Sequence, residues 1–337
     1  MGIRKKIVLS LFSCLASVTL ALAWGVWGHE HINHAAVFAL PPEMRLFFYD
    51  HIDFITEESS VPDLRKYVLH DKAEFARHYI DLESYAQDNQ LEKIPRTWQA
   101  AKAEYDSAFL EKNGILPWYI QTMMTALTEA FRQKNKTEIL FLAADLGHYL
   151  GDANMPLHTT SNHNGQFTNQ KGIHAFWESQ LPERFGDSYH LRVGPPEFIG
   201  DITGETWKII AHAHQLADTL LLAESRLRDS FPPGKIYKTD DAGRILKNEY
   251  GDPVHSYAYA LAYHRALNGM VAKQLRHAIQ DVADFWYTAW VNAGKPDLDS
   301  LDPPELIRAH HQQYLDDYHL YLSGKVAGFT PTPEFNR

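Results

Sequence analysis

An all-α protein, a multi-helix bundle with one inserted hairpin-like loop, is predicted by three observations. Apolar residues recur at helical spacing through five long segments, strand-like alternation is confined to one stretch, and prolines punctuate the joints. In "TWQAAKAEYDSAFLEKNG", Trp98, Ala101, Tyr105, Ala108 and Phe109 fall at helical spacing, and Gly114 with Pro117 beyond marks the stop, so one helix is expected there. The segments "WYIQTMMTALTEAFRQ", "TEILFLAADLGHYLGDA", "ETWKIIAHAHQLADTLLLAESRLRDSF" and "MVAKQLRHAIQDVADFWYTAWVNAG" repeat the period, with Trp118, Trp286 and Trp290 expected in the core. The exception, "GKIYKTDDAGRILKNEYGDP", has two short alternating runs around Asp240-Asp241-Ala242-Gly243 and is expected to be a hairpin between helices. Within residues 231–256 this insertion is either a lid over a functional cleft or a plain surface hairpin. The polar segment 296–337, after the main body of 24–295, is expected to wrap the outside as a C-terminal extension.

Residues 1–23 read as a secretory signal peptide. Arg4, Lys5 and Lys6 precede the apolar run "IVLSLFSCLASVTLAL", and Ala21-Leu22-Ala23 supplies a small-x-small cleavage pattern. The run is short for a membrane span and carries no stop-transfer pattern, so a secreted or periplasmic protein beginning at Trp24 is expected. The remaining 314 of the 337 residues suffice for one large domain or two small ones. Losing the leader also removes three cations and makes the formal charge of −10 three units more negative. An acidic chain gains nothing from general attraction to nucleic acid or anionic lipid, so any such substrate must be held locally. Cys14, the single cysteine, lies in the leader, which leaves no disulfide and no thiolate ligand.

Nineteen histidines remain to be placed, and several sit in one pattern. In "LGHYLGDANMPLH", His148 and Asp152 are four apart on a helix and share a face; Pro156 ends that helix and His158 follows on the turn. In "GIHAFWES", His174 and Glu178 repeat the spacing. Upstream, "SVPDLRKY" offers Asp63 in a loop, "ARHYIDLE" offers His78, and "WGVWGHE" offers His29. Each pair alone is more often a surface ion pair. Together, imidazole and carboxylate without thiolate suit zinc in a hydrolytic role. Apolar neighbours such as Leu146, Leu150, Phe176 and Trp177 imply burial, which ionisable groups tolerate only with metal or partners. By contrast, His212 and His214 point to different helix faces, His310 and His311 lie in the polar tail, and His255, His264 and His277, in or beside helical stretches, are read as packing or surface residues.

On these residues the sequence resembles the trinuclear-zinc phosphoesterases, the superfamily of bacterial zinc-dependent phospholipase C and the S1/P1 nucleases. The resemblance implies three Zn²⁺. One would be held by Asp63, His78, His148 and Asp152, a second by His158, His174 and Glu178. The third would take the amine and carbonyl of a mature N-terminal Trp24 with His29, Asp152 bridging to the first. It also implies hydrolysis of a phosphodiester by a zinc-bound hydroxide, with Asp63 as a candidate acceptor of the water's proton.

The substrate within that class is less sharply marked. Glu178 and the wording "HYLGDANMPLH" resemble the phospholipase branch. The closeness of His29 to Trp24 resembles the nucleases, in which Tyr79 and Asp81 would stack on and hydrogen-bond a base. Where the lecithinases place an acidic residue and two aromatics for choline, this chain has Trp27, Leu64 and Phe75, so one of three survives. The expected function is therefore a phospholipase C-like phosphodiesterase. The alternatives are a single-strand nuclease or 3′-nucleotidase, or a zinc-binding protein without turnover.

Overall fold

Side-chain caps start several helices where the periodic segments begin. Asn135 accepts from the Glu138 amide, Asp201 from Gly204 and Ser256 from Tyr259, each satisfying an amide that the first turn leaves free. The structure, a computed structural model, describes residues 25–86, 90–247, 251 and 253–326, and the side chains of all of these except 304–310. The leader 1–23 and Trp24 lie outside the described residues.

Within them the chain is helical, and the only strand-like pairing described is three isolated antiparallel bridges. The helices are α1 Gly25–Ala39, α2 Pro42–Asp50, α3 Ile52–Glu58, α4 Val61–Tyr67, α5 Lys72–Phe75, α6 Leu82–Tyr85, α7 Trp98–Glu104 and α8 Ser107–Asn113. They continue as α9 Leu116–Arg132, α10 Lys136–Ala153, α11 Ile173–Ala175, α12 Leu181–Phe185, α13 Ile202–Ser230, α14 Tyr257–Ala266, α15 Met270–Asn292 and α16 Pro304–Leu322. The all-α expectation holds.

Helices α1, α9, α10 and α15 pack on one another at the centre. Trp118 and Trp286 are fully buried and Trp290 nearly so. Trp286 stacks on Phe48 at a centroid distance of 5.0 Å, and its Nε1 donates to the Ala143 carbonyl of α10, so the indole buries area without stranding its N–H.

Three expectations change. The helix expected over 97–114 is two helices, because Asp106 adopts extended backbone and caps α8 through the Phe109 amide, breaking the run after Tyr105. The hairpin is present only as bridges, Tyr237 with His255, Thr239 with Ile245 and Lys247 with Pro253. It lies behind the site: His255 stacks on Phe176 at 3.7 Å and Tyr237 packs on His255, so its apolar residues anchor it to the back of the 176–180 segment. The C-terminal segment carries α16, whose Tyr321 is buried against Phe38 of α1, while Tyr49 of α2 donates to Asp317.

The approach of α1 to α10 positions the site. Gly147 and Gly151 lie one turn apart on the α10 face that meets α1, and no other residue type fits there without movement. A Cβ on Gly147 would stand 2.0 Å from Asn33 Oδ1, and one on Gly151 would stand 3.1 Å from His29 Nδ1. In the groove so formed, Asn33 Nδ2 donates to the carbonyls of Ala144 and Ile55, and one turn earlier the His29 ring stacks on His148 at 3.8 Å. Gly147→Ala is therefore expected to push α1 outward, destabilising the fold by about 1–3 kcal/mol as an overpacked core does. It should also weaken any ion held by His29 before those held elsewhere. Denaturant melts combined with metal analysis would check both effects, and wild-type values for each would contradict the close-packing argument.

Candidate metal centre

Five separate stretches of chain deliver the candidate ligands. His29 comes from α1, and Asp63 from the first turn of α4 rather than from the loop that the sequence implied. Pro62 starts that short helix, where a carboxylate is favoured by the exposed amide dipoles. His78 follows α5, and its neighbourhood is fixed by the Ile80 amide, which donates to the His158 carbonyl at 2.8 Å. His148 and Asp152 come from one face of α10, and His158 from the 3₁₀ turn Pro156–Thr159 after it. His174 is in α11, and Glu178 in the π-helical turn Phe176–Gln180 that continues it. Such π turns are frequent at functional sites because the wider turn re-aims a side chain.

The structure brings all eight described candidates together. Three triads have ligand atoms within 4.8 Å of one another: His29, His148 and Asp152; Asp63, His78 and His148; and His158, His174 and Glu178. Asp152 is the hub. Its Oδ2 lies 2.9 Å from His78 Nδ1 and 3.2 Å from His148 Nε2, and its Oδ1 lies 3.2 Å from His158 Nδ1 and 3.6 Å from His29 Nε2. Of the eight, only His174 is more than marginally exposed. The ninth candidate, Trp24, lies outside the described residues, but Gly25 is described and lies against Ser179 and Glu183, beside Glu178.

The residues fit bound cations. Among the described residues, neither ring nitrogen of His29 makes a hydrogen bond, nor do Oδ2 of Asp63 and Oδ1 of Asp152, although all are buried. Buried polar atoms left so are costly unless something else satisfies them, and a metal ion does. The outer nitrogens are already occupied as metal-binding imidazoles require. The Ser59 carbonyl accepts from His148 Nδ1 at 2.8 Å, and the His163 carbonyl from His174 Nδ1 at 3.0 Å, which leaves each Nε2 lone pair facing its triad.

The electrostatics agree. Burial would raise the Asp152 carboxyl, but the charges of His158 and His148 hold it well below the usual carboxylate range. Burial opposes ionisation of Asp63 too, yet Lys66, followed by His148 and His78, keeps it low. His148 and His174 are pushed up against burial by Asp152 and Glu178 respectively, whereas burial and the neighbouring His148 drive His29 well down.

A cleft of about 500 Å³ opens beside the triads, lined by His78, His158, His174 and Glu178 from among them. Asp63 does not line it. Lys66, almost fully buried and 3.0 Å from Asp63 Oδ1, does. Tyr79 and Asp81 are also in the lining. Gly114 makes their position possible: its φ of +84° brings the backbone so close to Tyr79 that a Cβ would stand 2.1 Å from the Tyr79 carbonyl oxygen. Burial, then the nearby Glu83, pushes the Asp81 carboxyl up to about 6. Of the choline-pocket positions, Phe75 lines the cleft, Leu64 is exposed, and Trp27 stacks on His31 instead. No described residue of 231–256 lines the cleft, so the lid expectation does not hold for them.

Sequence reasoning missed Lys66, Glu74, Lys112, His163 and Asn164, all in or beneath the cleft. Two carried a usable signal: Lys66 is three residues after Asp63, and Glu74 is four before His78, the same helical spacing that singled out the other pairs. Of the remaining histidines, His214 hydrogen-bonds the Thr159 backbone, His212 packs on His277, His264 packs on Tyr189, and His311 is exposed. No described helix is long and apolar enough to cross a membrane.

No family model matches the chain, and no match was found among curated proteins. The site therefore rests on its own geometry. Because Asp152 touches both halves of the cluster, Asp152→Asn is expected to lower the content of more than one ion per chain. His29→Ala should affect a single ion. Elemental analysis of the two variants beside wild type would check this, and equal metal content in Asp152→Asn and wild type would contradict the hub assignment.

Proposed function

We propose that this chain is a secreted or periplasmic zinc-dependent hydrolase of phosphodiester bonds, phospholipase C-like in its substrate. The observation that supports the reading is the convergence of three imidazole–carboxylate triads on one cleft. Nitrogen and oxygen donors without thiolate suit zinc in hydrolytic sites, where a closed structural site would take four protein ligands and leave no opening. On this reading Asp63, His78, His148 and Asp152 hold one ion, and His158, His174 and Glu178 a second. His29 holds the third with the amine and carbonyl of Trp24. When bound, such ions neutralise phosphate oxygens and bring a water's pKa down toward neutrality.

The chain's own residues supply the rest. Asp63, kept ionised by Lys66 and two imidazoles, is the carboxylate to which the proton of an attacking water is assigned. The Lys66 ammonium lines the cleft as a fixed positive charge for a phosphodiester oxygen, so an otherwise acidic protein holds an anion locally. Phe75, Tyr67 and Leu157 make an apolar wall that excludes water from the reacting end and accommodates a lipid-derived group. One observation favours a second reading, a single-strand nuclease or 3′-nucleotidase. Tyr79 and Asp81 lie in the same lining, a ring for stacking and a carboxylate to accept from a base.

The test is a substrate panel on zinc-loaded mature protein. Phospholipid vesicles of mixed headgroup should be turned over faster than single-stranded DNA, RNA or 3′-nucleotides, and chelation should abolish turnover and lower the melting temperature. Preferential nucleotide or nucleic-acid cleavage would select the second reading, and full zinc content without any turnover would leave a non-catalytic zinc protein. A further expectation concerns Trp24. Protein carrying one extra Met before it should lose one ion of three and most of its turnover while remaining folded, because an amide nitrogen has no lone pair to donate. Full zinc and full activity in that protein would remove Trp24 from the ligand set.

A further inference from the structure

Two of the imidazoles in the centre are oriented by backbone carbonyls, but His78 is not. Its Nδ1 faces the cluster, 2.9 Å from Asp152 Oδ2, 3.0 Å from His148 Nε2 and 3.6 Å from Asp63 Oδ1. Its Nε2 points the other way, is buried, and has Oε1 of Glu74 3.5 Å away. Glu74 is fully buried and is itself held from several sides. Its Oε1 accepts from the Tyr149 hydroxyl, and its Oε2 accepts from Arg77 at 2.8 Å and Arg65 at 3.3 Å. Arg65 is in turn fixed by Asp145 at 2.6 Å. A carboxylate so surrounded is held in place by these contacts, one turn of chain before the imidazole it faces.

We infer that Glu74 is a positioning residue of the metal centre, one that selects which nitrogen of His78 binds the ion. A neutral imidazole has one N–H and one lone pair. With the proton on Nε2 toward Glu74, the lone pair is on Nδ1, toward Asp63, Asp152 and His148. Without Glu74 nothing described holds the proton on Nε2, and the tautomer with the proton on Nδ1 would turn an N–H toward the ion. Arg65 and Arg77 bind the far oxygen, Oε2, and neither is positioned to orient the ring, while Oε1 toward His78 is held by Tyr149.

This inference rests on the reading of the centre as a metal site, and the experiment separates the two. In zinc-loaded full-length protein labelled with ¹⁵N-histidine, the His78 resonances should report a protonated Nε2 and an Nδ1 without a proton. Competition with a chelator should then show that Glu74→Ala holds one zinc of the set roughly 10–100-fold more weakly than wild type, the usual size of an outer-sphere loss at a metal site. Glu74→Gln, which keeps an acceptor oxygen but no charge, should fall between them, and serves also if the Ala variant fails to fold. Arg77→Gln removes a partner of Glu74 without touching His78, so it should lower the melting temperature while leaving zinc affinity within about threefold of wild type. Unchanged zinc affinity in both Glu74 variants would overturn the inference, as would an equal loss in Arg77→Gln or a proton on Nδ1 of His78 in the zinc-loaded protein. A wild-type protein that binds no zinc would instead overturn the metal-site reading.

Discussion

One buried carboxylate organises this molecule. Asp152 is fully enclosed and ionised, and four imidazoles from four different parts of the chain converge on it: His29, His78, His148 and His158. A carboxylate taken out of water alone would be strongly destabilising, and imidazoles buried without acceptors would be too. Each makes the other tolerable, and on the proposed reading bound cations would complete the set by satisfying the lone pairs that still face inward. Asp63 lies in the same cluster, so two carboxylates share the region, and fixed positive charge must stand between or beside them. Lys66 supplies part of it from within the chain.

The scaffold around this cluster is built to bring backbones together closely. The glycine pair on α10 lets α1 lie flush in its groove, so His29 and His148, far apart in sequence, stack ring on ring. The Ile80 amide reaches the His158 carbonyl, tying the two cleft walls directly through main chain. The Ser59 and His163 carbonyls set the proton positions of two imidazoles before any ion arrives. Preorganisation of this kind is what distinguishes a site from a chance meeting of polar groups in a core. The inserted segment 231–256 contributes from behind, with His255 and Tyr237 stacked behind Phe176 in the turn that carries Glu178.

The cleft itself is chemically divided. Lys66 and Lys112 are the lysines of its lining, in a chain whose overall charge is strongly negative. Phe75, Tyr67 and Leu157 provide an apolar side, and Tyr79 with Asp81 a ring and an acceptor. A phosphodiester flanked by an apolar group on one side and a polar group on the other matches that division. Under the proposed function the match between anion and site would be local, so that an acidic protein would need no general electrostatic attraction to hold it.

Some of this was legible in the amino-acid sequence, for identifiable reasons. Helical period and caps are local properties, so the helices, the all-α class and the buried tryptophans followed from neighbours a few residues apart. The pairs His148/Asp152 and His174/Glu178 were legible because a helix puts residues four apart on one face. The break at Asp106 was missed because an apolar period carried across it, although the side chain there competes for the backbone as a cap. What no local pattern contained was the meeting of α1 with α10, the burial of Glu74 behind His78, and the seat of the insertion behind Phe176. Those depend on side chains distant in sequence filling one another's space, as Asn33 does over Gly147. Sequence determined which residues could be ligands, because donor chemistry belongs to each side chain. Tertiary structure alone decided that the eight described ones share one buried centre, because only close packing of separate helices removes the water that would otherwise keep their charges apart.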